Sequence, residues 1–105
     1  MKLKVFCVFD SKISLHLQPF FFPATGQALR AFEEAVSDSK TSFAKYPADF
    51  TLLEIGTYEE STGLFEMLPV KINLGTALEY IRPSNNDASM LPMSGLNAVK
   101  MKGGA

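Results

Sequence analysis

One cysteine, one histidine and no tryptophan occur in 105 residues, and these scarcities exclude a good deal of chemistry. A lone Cys7 cannot form an internal disulfide, and no zinc cluster can be written from cysteine spacing. With His16 as the single histidine, there is little material for a multi-histidine metal site or a histidine-paired nucleophile. No glycine-rich stretch carries the lysine that a phosphate-binding loop needs; "STGLF", "NLGTAL" and "GLNAVKMKGG" all fail on spacing. The opening "MKLKVFCVF" is too short an apolar run for a secretory leader and far too short to span a bilayer. These absences set the expectations of no metal, no cofactor, no small-molecule substrate, no membrane partner and a reducing cytoplasm.

Excess charge of either sign is missing too. Ten Lys plus Arg against eleven Asp plus Glu leave a net charge of -1, so the molecule as a whole does not attract phosphate. A nucleic-acid role therefore needs basic residues gathered onto one face. What the chain does have is ordinary globular usage, 47% hydrophobic and 20% charged. At this length one domain can bury a core without disulfides or a structural metal.

Residues 2–9, "KLKVFCVF", predict a strand with Leu3, Val5, Cys7 and Phe9 on one face and Lys2, Lys4, Phe6 and Val8 on the other. The second face turns apolar midway, so part of the strand should be covered on both sides. "DSKISLHLQP" reads as a polar loop with a short edge strand around Ile13 to Leu17. The clearest helix lies at about 25–38, where Ala28, Leu29, Phe32, Ala35 and Val36 form one stripe behind Thr25 as N-cap. Residues 39–49 predict a loop with Phe43 and Tyr46 tucked against the body.

"FTLLEIGTYEESTGLFEMLPVKI" predicts a hairpin of strands 50–58 and 64–70, with Gly63 left-handed at the turn. Pro69 cannot donate to a ladder, which marks the second strand as an edge. "NLGTALEYI", 73–81, predicts a short second helix capped by Asn73, with Leu74, Ala77, Leu78 and Ile81 facing inward and Pro83 stopping it. Beyond residue 82 periodicity fades while Pro, Ser, Asn and Gly accumulate. A domain of 1–82 followed by a flexible or partner-ordered tail at 83–105 is expected.

Among titratable residues, Glu54 and Glu66 fall on adjacent strands of the hairpin. A close pair would raise their shared pKa, whereas the plain reading puts both on a solvated sheet face. Asp10 is a third carboxylate that could meet them in space. Cys7, in mid-strand, reads as a small buried hydrophobe, and His16 as a surface or half-buried residue. No catalytic residue is assigned, and the chain is read as a non-enzyme.

The aromatics supply the positive signal. Nine Phe and three Tyr beside lysines suit the way single strands are held without sequence preference, by stacking bases on rings. Lys2, Lys4, Lys12, Arg30, Lys45 and Lys71, together with Phe21, form the expected nucleic-acid contact set; Lys40 is a further basic residue available to it. In the run Phe20, Phe21, Phe22, alternate residues of an extended segment point opposite ways. If Phe20 and Phe22 pack inward, Phe21 is displayed toward a ligand or a subunit contact formed by these three rings.

The segments "MKLKVFCVFDSK", "PFFFPATGQALRAFEEAV", "YPADFTLLEIGTYEESTGLFEM" and "INLGTALEYI", in that order, resemble the small nonstructural protein of the gokushovirus branch of the Microviridae, over about residues 1–81. The resemblance implies a non-enzymatic phage protein of the bacterial cytoplasm that binds DNA while single-stranded genomes are made and packaged.

The fold expected is a single α+β domain: a small, mainly antiparallel sheet covered on one face by one main helix, with a short second helix after the hairpin. Its expected partners are single-stranded DNA and further copies of itself, because one helix cannot cover both faces of so apolar a sheet. The alternative function is a protein–protein interaction module that never touches nucleic acid.

Overall fold

The computed structural model describes residues 1–81, and the expected tail at 83–105 lies outside the described residues. Strand β1 (Lys2–Asp10) is the centre of the sheet. It pairs antiparallel on one side with β4 (Phe50–Glu59), and on the other with β2 (Leu15–His16) and β3 (Phe20–Phe22) placed end to end. β5 (Leu64–Thr76) completes the sheet as an antiparallel neighbour of β4, giving the order β2-β1-β4-β5 with β3 beside β1. The α+β architecture with an antiparallel sheet is as the alternation predicts, and β5 is the edge that Pro69 requires.

The two faces of β1 divide as read from its alternation. Phe6 and Val8 join Phe50 and Leu52 of β4 beneath Ala28, Phe32 and Val36 of helix α1 (Thr25–Ser37), forming the main core. Val5 and Cys7 lie on the opposite face, here called the open face, and are also buried. Burial on both faces is confined to residues 5–8, the part of the strand where the sequence is apolar throughout.

The helix begins one residue earlier than Thr25 suggests as a cap. Ala24 takes the N-cap position, and its amide donates to the Gln27 Oε1 at 3.1 Å. The Thr25 hydroxyl is turned instead toward the sheet. It accepts from Lys4 Nζ at 3.0 Å and donates to Glu54 Oε1 at 3.0 Å, while Lys4 and Glu54 are 3.5 Å apart. This three-membered link ties the start of α1 to β1 and β4.

Glu54 is 8% exposed, so the reading of it as solvated is corrected, and so is its pairing with Glu66. Glu54 faces Ile72 in the ladder whereas Glu66 faces Thr57. Glu54→Gln leaves Lys4 without its counter-charge, but the half-exposed ammonium can turn to water. A loss of about 2 kcal/mol in urea unfolding is expected. Replacing both partners, by Lys4→Met with Glu54→Leu, should recover most of it.

The segment 73–81 departs from the expected helix. β5 runs on to Thr76, and only a 3-10 turn, Ala77–Tyr80, follows. Asn73 is not a helix cap: its Oδ1 accepts from the Gly75 amide at 2.8 Å, and Gly75 sits at φ 109°, a conformation that breaks a helix and suits glycine. The turn is held by the Glu79 Oε2, which accepts from the Thr76 amide at 3.1 Å. Of the four residues expected inward, Ala77 is buried and Leu74 half-buried, while Leu78 and Ile81 are exposed.

Tyr80 closes this end by packing edge-on against Phe32, its hydroxyl donating to the Leu74 carbonyl. Burial pushes the phenol pKa up, and the charges of Glu79 and Glu33 add to the rise. Because the folded pKa lies above the unfolded one, Tyr80's contribution is complete below about pH 10 and drains away as pH rises further. Absorbance titration should show one of the three tyrosines ionising late, and Tyr80→Phe should remove that late step.

In the 39–49 segment a short helical turn, α2 (Ser42–Lys45), is capped by the Thr41 hydroxyl, which accepts from the Ala44 amide. Phe43 is tucked between Phe32 and Phe50 as expected. Tyr46 is instead exposed.

Candidate functional site

Three rings from three strands meet on the open face. Tyr58 of β4 stands directly opposite Phe65 of β5, with ring centroids 4.8 Å apart. Phe21 of β3 stands opposite Val5, and its ring lies 5.7 Å from Tyr58 and 6.1 Å from Phe65. The alternation of the three-Phe run is as its extended form requires. Phe20 and Phe22 pack against the helix-side core, and Phe21 remains 38% exposed on the other face.

Phe65 is 54% exposed and Met67, next on the same face, is 51% exposed. The cluster therefore has a wet side and a dry side: the rings border Val5, which is 1% exposed, and present their outer surfaces to solvent. Gly56 makes the arrangement possible. It stands between Val5 and Met67 in the ladder, and a Cβ there would lie 2.6 Å from the Glu66 carbonyl oxygen, so only glycine lets β5 approach this closely.

Beyond Met67 the ladder is irregular. Met67 pairs with Gly56 and Ile72 with Glu54, so Leu68 to Lys71 form a bulge opposite Ile55 alone. Lys71 is carried on this bulge, and its charge reaches the Cys7 thiol on the open face. Burial nevertheless dominates at Cys7 and pushes the thiol pKa up. The group is a buried hydrophobe, as its mid-strand position predicts.

The seven residues of the expected nucleic-acid contact set do not converge. Phe21 is in the ring cluster. Lys2 lies on the helix-side face like Lys4, its Nζ 3.9 Å from an oxygen of Glu66, which pairs with Thr57 on that face, whereas Lys71 borders the open face, where its charge acts on Cys7. Lys4 is engaged with Thr25 and Glu54 on the helix side. Arg30 lies on the outer surface of α1 beside Gln27 and Glu34. Lys12 follows β1 in the turn leading to β2, and Lys45 ends α2. Tyr58, Phe65 and Met67 are the members that residue-type reasoning missed. Counting outward from the Gly63 turn pairs Tyr58 with Phe65 and would have found them.

Elsewhere an apolar groove of about 390 Å³ runs between α1 and the Leu17–Phe22 lead-in, walled by Phe20, Phe22, Phe32 and Phe43. Gln18 is its one polar side chain, too little to orient a ligand. His16 is exposed and packs on Phe9. Among the described residues no group of three or more His, Cys, Asp or Glu could hold a metal ion, and no helix is long and apolar enough to cross a membrane.

Residues 3–80 match the family described as Phage ORF5 protein, which is 78 of the chain's 105 residues. No curated protein and no solved structure matches the chain. Three-quarters of the sequence, including all of the strands and helices described above except Lys2 at the start of β1, thus falls within one family, and the chain belongs to the Phage ORF5 proteins.

Proposed function

We propose that this phage protein is a non-enzymatic binder of single-stranded DNA, and that the open face holds the strand. The observation that carries the reading is the cluster of Phe21, Tyr58 and Phe65, half in water on one side of a rigid sheet. Solvent-facing rings on a sheet accept any base by stacking, at about 1–3 kcal/mol per base, without demanding sequence. Lys71, on the same face, supplies a modest attraction for the backbone. The sequence resemblance to the gokushovirus nonstructural protein supports the same role, in genome synthesis and packaging in the host cytoplasm.

The site suits binding and not turnover. Its side chains are rings, a thioether and one lysine, and Glu54, the one buried carboxylate among the described residues, is held by Lys4 and Thr25 on the other face. Fluorescence anisotropy of a labelled oligothymidylate at low ionic strength tests the reading. Saturable binding is expected, and its absence would remove DNA from the account.

A further inference from the structure

We propose that the outer edge of β5 receives a second copy of this chain, strand against strand, with Phe65 on the two-fold axis. Among the described residues β5 pairs only with β4, so its outer backbone donors and acceptors have no ladder. Long apolar edges are normally blunted by proline, bulges or charge. Here the bulge at Leu68–Lys71, with Pro69, blunts the middle of the strand and leaves Leu64–Met67 regular. Leu64, Phe65 and Met67 are all exposed. With Phe21 they leave on the order of 400 Å² of apolar surface uncovered at this edge, Leu64 on the helix-side face and the other three on the open face. That is about half of what each partner of a standard interface contributes, which fits a weak, concentration-dependent pair.

Geometry selects both the occupant and the register. A two-fold axis perpendicular to the sheet makes antiparallel neighbours and keeps both open faces on one side. Directly opposed residues must then share a face. With Glu66 on the axis, two carboxylates would be opposed, which is unfavourable. Met67 on the axis would set Phe65 against a proline that cannot donate. Leu64 there would set Phe65 against Gly63, already in the turn. Phe65 on the axis opposes ring to ring and Leu64 to the partner's Glu66, and the net charge of -1 raises little barrier between copies. The consequence, which rests on the DNA reading, is that two ring clusters line up on one continuous face. The pairing itself does not need DNA.

Cysteine cross-linking of the full chain tests this without nucleic acid. Opposed antiparallel residues have Cα atoms about 4.5–5.5 Å apart, inside the roughly 4.4–6.8 Å that a disulfide spans. Phe65→Cys should therefore form a covalent dimer under mild oxidation at least tenfold faster than Val70→Cys, although Val70 is more exposed, at 79%. Sedimentation of the unmodified protein should show a monomer–dimer equilibrium. Equal or faster cross-linking at position 70, or a strict monomer at the highest soluble concentration, would overturn the pairing and leave strand binding by a single copy intact.

Discussion

Phe21→Ala combined with Phe65→Ala should weaken oligothymidylate binding by about 30-fold or more. Two stacking rings at the low end of their usual worth amount to about 2 kcal/mol, and each 1.4 kcal/mol is tenfold. Both rings are already partly in water, so truncation should cost the fold only about 1–2 kcal/mol of burial. Circular dichroism and thermal unfolding separate loss of the site from loss of the protein. Arg30→Ala with Lys45→Ala is the matching control. These cations lie away from the ring cluster, and their removal should change affinity less than threefold. If the control pair weakened binding more than the ring pair, the strand would be held on the helix side.

The second large effect is structural. Gly56→Ala should destabilise the domain by about 3 kcal/mol, the upper part of the range for overfilled sites. The new methyl would meet the Glu66 carbonyl oxygen at 2.6 Å and the Met67 Cα at 3.0 Å. These are backbone atoms, so relief requires β5 to move away from β4. Tyr58 and Phe65 lie two residues farther along the same ladder, and DNA affinity should fall along with stability. Gly26→Ala makes the contrast: nothing lies within 4 Å of the added methyl, and alanine in place of glycine in this first helical turn should be neutral or stabilising by up to about 1 kcal/mol. Similar urea midpoints for the two variants would contradict the close β4–β5 approach.

Much of the architecture is legible because it follows from local periodicity. Alternation along 2–9 places Val5 and Cys7 opposite Phe6 and Val8, and the stripe Ala28, Phe32, Val36 identifies the buried side of α1. The three-Phe run is decided by strand geometry alone, which is why Phe21 could be singled out. Residues 73–81 mislead because Leu74, Ala77, Leu78 and Ile81 recur at helical spacing over only nine positions. A strand ending in a turn produces the same pattern, and the decisive features are the Asn73–Gly75 hydrogen bond and a positive φ.

The site was half legible. Charge type identifies lysines but not where a fold sends them. Lys4 points under the helix because it lies an even number of residues from Phe6, and its partner Glu54 comes from 50 positions away. Thr25 looked like a cap because its type suits one, yet its hydroxyl serves a tertiary link that no local rule contains. Tyr58 and Phe65 depend on the hairpin register, which follows once the turn is placed at Glu59–Leu64.

The most direct test of rings against charge is the salt dependence of binding. For single strands the logarithm of affinity falls with the logarithm of salt at about -0.7 per phosphate neutralised. One lysine, Lys71, on the face of the ring cluster predicts a slope of about -0.7. A slope this shallow is the expected result; one of about -4 or steeper would show that the dispersed cations, and not the rings of the open face, hold the strand.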